Sequence, residues 1–89
     1  MDRGIVVKEG DYVAVFNSVH RVLKAEKILK EAGSSFALIP APRQISADCG
    51  LALCFAPEAR AEIVVALNQA DLSIAALWVM RSGGYRPAE

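Results

Sequence analysis

Two cysteines, Cys49 and Cys54, are the side chains of this 89-residue sequence best suited to covalent chemistry, and their settings differ. Cys49 stands in Ala41-Pro-Arg-Gln-Ile-Ser-Ala-Asp-Cys-Gly50, where two prolines stiffen the chain and Ser46 and Asp48 can bond nearby backbone. Gly50 lets the backbone take a conformation closed to other residues, which would present the neighbouring thiol rather than bury it. A thiol reacts as its thiolate. Arg43 and the backbone N–H groups of the Cys49-Gly50-Leu51 turn are the groups at hand to stabilise that anion, while Asp48 opposes it. On these residues alone a second reading stands beside the first, in which Cys49 is a small apolar filler at the base of a loop. Arg43 likewise reads either as a site residue or as a solvated loop residue. Cys54 falls inside the apolar run Leu51–Phe55. If that run is extended, the two cysteine Cα atoms lie about 16 Å apart, beyond the ~7 Å limit for a disulfide. No internal bridge is expected. His20 is a tempting base, but it shares a helical flank with Lys24 and Lys27, so it is expected to face water. No metal and no cofactor are expected, because the chain lacks clustered soft ligands.

These residues must be positioned by the elements around them. Asp11 to Asn17 is a β-branched and aromatic run ending in turn-formers, which predicts a strand. Ser18 is an N-cap for a helix whose stripe is Val22, Ala25, Ile28, Leu29 and Ala32, closed by Gly33. Phe36–Pro40 predicts a second strand, ended by Pro40 and Pro42. Leu51–Phe55 predicts a third, and Pro57 with Glu58 opens a helix with Ala59, Ile63, Ala66, Leu67 and Ala70 on one side. Leu72–Met80 predicts a fourth strand, giving way at Ser82-Gly83-Gly84. The order is that of an α+β, ferredoxin-like βαββαβ fold, an antiparallel sheet with two helices on one face. The expected limits are an N-terminal extension over residues 1–11, with Gly4–Val7 as a possible short edge strand, a domain over 12–81, and a flexible tail over 82–89.

A chain of 89 residues holds one core. Its hydrophobic fraction of 54% is high for that size, and both faces of the first and last strands read as apolar. An open sheet face bearing Tyr12, Phe16, Trp78 and Met80 is therefore expected to be covered, as a homodimer or a hetero-complex. Ten basic residues balance ten acidic ones, which excludes the phosphate-neutralising field of a nucleic-acid binder. No apolar run is long enough to span a membrane, and the charged start does not read as a signal peptide, so a cytoplasmic protein with reduced thiols is expected.

The string Pro42-Arg43-Gln44-Ile45-Ser46-Ala47-Asp48-Cys49-Gly50-Leu51-Ala52-Leu53 resembles the Putative Se/S carrier protein-like family, which has a Pro-Arg-x-x-Ser-x-x-Cys-Gly-x-Ala loop. Phe16-Asn17-Ser18 and the helical Ala25-Glu26-Lys27-Ile28-Leu29 extend the resemblance over roughly Tyr12 to Met80. It implies a carrier of sulfur or selenium on Cys49; the loop chemistry gives Arg43, Ser46 and Gly50 as supporting residues, and a carrier calls for donor and acceptor proteins as partners. It implies a carrier more than an enzyme. Cys54 and the residues before Tyr12 lie outside the motif.

The competing class is a regulatory or assembly module that binds through its open sheet face while Cys49 merely packs. A copper chaperone of similar fold needs a Cys-x-x-Cys pair after the first strand, where this chain has Asn17-Ser18-Val19-His20. An RNA-recognition domain needs a basic surface and third-strand aromatics, both missing here.

Overall fold

The computed structural model describes residues 7–45 and 50–88. The expected strand at residues 4–7 lies outside these, apart from Val7. The chain runs β1 (Tyr12–Val15), α1 (Val19–Glu31), β2 (Ala37–Pro40), β3 (Leu51–Phe55), a 3-10 turn (Pro57–Ala59), α2 (Arg60–Gln69), β4 (Ala76–Arg81) and β5 (Gly84–Pro87). The strands make one antiparallel sheet in the order β2-β3-β1-β4-β5, so the molecule is α+β with five strands rather than the expected four.

The helix boundaries follow from local chemistry. Ser18 holds an extended backbone, and its hydroxyl accepts from the Arg21 N–H at 3.2 Å, satisfying one orphan donor of α1. Both helices end in the same reversal. Ser34 N–H donates to Leu29 C=O and Gly33 N–H to Lys30 C=O; at α2, Leu72 N–H donates to Leu67 C=O and Asp71 N–H to Asn68 C=O. The reversal needs a left-handed residue, which Gly33 supplies at φ +74° and Asp71, without glycine's freedom, at φ +58°. This stop consumes Leu72, which is buried beside Leu67 in the core, so the strand expected from residue 72 starts only at Ala76.

Within residues 82–89, expected as a flexible tail, the structure places the strand β5. Ser82 and Gly83, both at positive φ, form a two-residue hairpin turn that pairs Arg81 with Gly84 and Met80 with Tyr85. The Glu9 carboxylate braces the turn by accepting from Ser82 N–H at 3.0 Å. Prolines sit on both edge strands. Ala41 N–H donates to Gly50 C=O and Ala88 N–H to Leu77 C=O. Counting in twos from those bonds, residues 37 and 39 of β2 and 84 and 86 of β5 bond inward, while Pro40 and Pro87 face outward, where a missing N–H leaves the ladder intact.

Two apolar clusters lie on opposite faces of the sheet. On the helix side, Ala14, Phe16, Leu53 and Phe55 pack against Val22, Ala25 and Leu29 of α1 and Ile63 and Leu67 of α2. Ala32, expected in the α1 stripe, is instead its exposed C-cap. On the other side, Val13, Val15, Ile39, Ala52 and Cys54 are buried with Ile45, and Val7, Trp78 and Tyr85 pack against them. Register corrects the expected open face: Tyr12 lies opposite Phe55, and both it and Phe16 belong to the helix-side cluster, whereas Trp78 pairs with Val13 on the other side. That second face is covered in part by the chain's own loop through Ile45 and by Val7. This also explains β3, which is buried on both faces and reads as an unbroken apolar run.

Candidate functional site

The loop between β2 and β3 is closed at its base and fixed near its middle. Ala41 N–H donates to Gly50 C=O at 2.9 Å, carrying the β2–β3 ladder one step beyond the strands. Pro42 C=O accepts from Ile45 N–H at 3.0 Å, making the first half a tight turn. Ile45 then enters the second cluster and is only 4% exposed. The loop is thus held by an apolar anchor as well as by proline stiffness. Ser46, Ala47, Asp48 and Cys49 lie outside the described residues. Arg43 is exposed in the turn, and Gly50 is exposed at φ +73° with open space where a Cβ would stand. The positive φ, not crowding, is what asks for glycine next to Cys49.

Cys54 is a free thiol placed opposite Val13 and Ala37, on the face away from the helices. It is 6% exposed. Asp11 Oδ2 accepts from Cys54 Sγ–H at 3.9 Å and from Lys8 N–H at 3.0 Å. The carboxylate is fixed by backbone on both sides, since Asp11 N–H donates to Lys8 C=O and Asp11 C=O accepts from Met80 N–H. Burial in apolar surroundings, then the Asp11 charge and its hydrogen bond, push the Cys54 thiol up to about 11. Each of the three disfavours the thiolate, so Cys54 is held protonated at neutral pH. Tyr85 lies near enough for its phenol also to be raised, first by burial and then by Cys54. Asp11 was not legible as a partner of Cys54 in the sequence, because the two are 43 positions apart and meet through the β1–β3 register.

His20 is exposed on α1, as its charged flank indicates. Among the described residues no group of three or more His, Cys, Asp or Glu could hold a metal ion, and no helix is long and apolar enough to cross a membrane. A separate residue missed by sequence reasoning is Arg60 at the start of α2. It donates to Tyr12 Oη at 2.9 Å, and its guanidinium lies 4.8 Å from the centre of the Tyr12 ring, which itself stacks on Phe55.

No curated protein and no solved structure matches the chain. A family model does, over residues 11–79, a span running from Asp11 nearly to the end of β4 and including the whole β2–β3 loop. The residues before Asp11 and the strand β5 fall outside it. The chain belongs to the Putative Se/S carrier protein-like family.

Proposed function

We propose that this protein carries sulfur or selenium on Cys49 between a donor and an acceptor protein. Family membership supports the reading, and the observation that carries it further is the state of Cys54. Of the two thiols in the chain, that one is buried, bonded to Asp11 and held protonated, which leaves the role to Cys49. The loop that bears Cys49 is anchored on one side by Ile45 and closed by the Ala41–Gly50 bond. Arg43, Ser46 and Gly50 serve as its supporting residues.

The transfer needs no external oxidant. Cys49 thiolate attacks the terminal sulfur of a donor persulfide, the donor S–S bond breaks, the donor leaves as a thiolate, and Cys49 becomes a persulfide that keeps the transferred sulfur's proton. An acceptor nucleophile repeats the exchange in the next step. Selenium follows the same electron count. We place the protein in the cytoplasm, where thiols stay reduced between loadings. In this reading the fold is a ferredoxin-like βαββαβ unit with β5 added at its edge. A homodimer or hetero-complex would meet the sheet face that bears half-buried Trp78, Met80 and Tyr85.

Intact-mass spectrometry after incubation with a cysteine desulfurase and cysteine tests the assignment. One added sulfur is expected on the parent and on Cys54→Ser, and none on Cys49→Ser. Loading that survives Cys49→Ser and disappears in Cys54→Ser would show the site to be misassigned.

A further inference from the structure

Where β4 begins and β5 ends, against the first turn of α2, the surface opens into a groove of about 540 Å³ lined by Arg60, Ile74, Ala75, Leu77, Trp78 and Pro87, with Ala76 and Ala88 completing it. That volume is in the usual range for small-molecule sites, about 300–1,000 Å³. The residues lining it are apolar apart from Arg60 and the indole N–H of Trp78. The Arg60 guanidinium is fixed in place by the bond to Tyr12 Oη, by the Tyr12 ring and by a long bond to Ala88 C=O at 3.5 Å. Those bonds use two of the five donors of the fork. Among the described residues no carboxylate is bonded to it. A planar cation, held rigid at the rim of an apolar groove with donors to spare, is complementary to a carboxylate joined to an apolar body. Of the lining residues, Pro87 and Ala88 lie beyond the family-matched residues 11–79.

We propose that this groove binds a small monocarboxylic acid, its carboxylate on Arg60 and a short aliphatic or aromatic body against Ile74 and Leu77. The site shares no residue with the β2–β3 loop or with Cys54, so it stands or falls independently of the carrier reading.

Trp78 is the single tryptophan of the chain and one of the residues lining the groove, its indole on the sheet face away from the helices, so the amide shifts carry the site assignment and its emission is followed beside them. The full chain is titrated with octanoate and, as a neutral control of similar shape, with 1-octanol, following Trp78 emission and the amide shifts of residues 74–78 and 87–88. Saturable octanoate binding is expected, with octanol weaker by about tenfold or more, as a charge-assisted bond requires. Arg60→Gln removes octanoate's advantage and leaves octanol unchanged. Ala75→Phe, at an exposed position, fills the groove and weakens both ligands without touching the Arg60 bonds. If Arg60→Gln loses its far-ultraviolet signal, the octanol comparison and Ala75→Phe decide the matter on folded protein. Equal binding of the two ligands, unchanged octanoate binding in folded Arg60→Gln, shifts spread through the core, or no saturation below about 10 mM would each overturn the proposal.

Discussion

Removing Cys49 leaves Cys54 as the remaining thiol, and the reactivity of that variant follows from the Asp11–Cys54 geometry. With the thiol raised from 9.0 to about 11, roughly one molecule in a thousand carries the thiolate at pH 8, against about one in ten for an unshifted thiol. A thiolate of higher pKa is the better nucleophile by about tenfold over that interval, which offsets part of the loss. Ionisation and nucleophilicity together then slow Cys54 by about tenfold, before the hindrance of a side chain 6% exposed is added. Iodoacetamide labelling of Cys49→Ser and Cys54→Ser at pH 8, followed by mass, is the assay. Cys49→Ser is expected to label at least about tenfold more slowly. Rates within threefold of each other would refute the argument that burial and Asp11 silence Cys54. Asp11→Asn adds a second arm: it removes the charge and the carboxylate bond but not the burial, so Cys54 in the Cys49→Ser background speeds up without reaching an ordinary rate. The same linkage sets a pH trend in stability. Folded Cys54 keeps its proton where the unfolded thiol, near 9.0, has lost it. Its contribution is therefore whole below pH 9 and is lost as pH rises toward 11, by about 3 kcal/mol at most, and Tyr85, raised in the same direction, adds to the fall. Urea melts of the parent and of Cys54→Ala across that window measure it.

Ile45→Ala deletes the loop's apolar anchor and is expected to cost about 2–4 kcal/mol in urea unfolding; a cost under 1 kcal/mol would mean the loop is not held there. Gly50→Ala meets no steric obstacle but must keep a positive φ, so a loss of about 1–2 kcal/mol is expected with little change of structure in the amide spectrum. Asp71→Gly, at the left-handed end of α2, is expected to stabilise by about 0.5–1 kcal/mol, read as a raised Tm. Arg43→Ala is expected to slow Cys49 alkylation at neutral pH more than His20→Ala does; equal rates in both variants and the parent would remove Arg43 from the site.

The elements legible in the sequence were those where one signal dominates. Ser18 before the Val22, Ala25 and Leu29 stripe, with Gly33 after it, located α1 to within a residue or two, and Leu51–Phe55 was visible as a strand because burial on both faces makes it wholly apolar. That same two-sided burial hid which face was which. Tyr12 and Phe16 alternate with Val13 and Val15, all are apolar, and parity alone cannot say which set meets the helices. β5 escaped because Gly84-Tyr85-Arg86-Pro87 looks like the end of a chain, although Ser82-Gly83 between Met80 and Tyr85 is a usable hairpin signal. Ile45 was read as a loop residue when it is the loop's anchor, since no local pattern marks a lone isoleucine that packs onto a distant sheet. Cys49 could be singled out by its neighbours, whereas the inertness of Cys54 depends on a carboxylate brought to it by strand register.

The outward-facing prolines of β2 and β5 bear on how this molecule can meet others. A further strand, from another copy or from a partner, would have to hydrogen-bond to an edge of four residues on which one of the few outward donors is missing. Either edge would give such a visitor a ladder with a gap in it, too short to close around the gap. Backbone-to-backbone annealing at either of these strands is therefore a poor route to association. Recognition at these edges would then fall to side chains, which substitution can change one at a time, rather than to the polypeptide backbone that all proteins share.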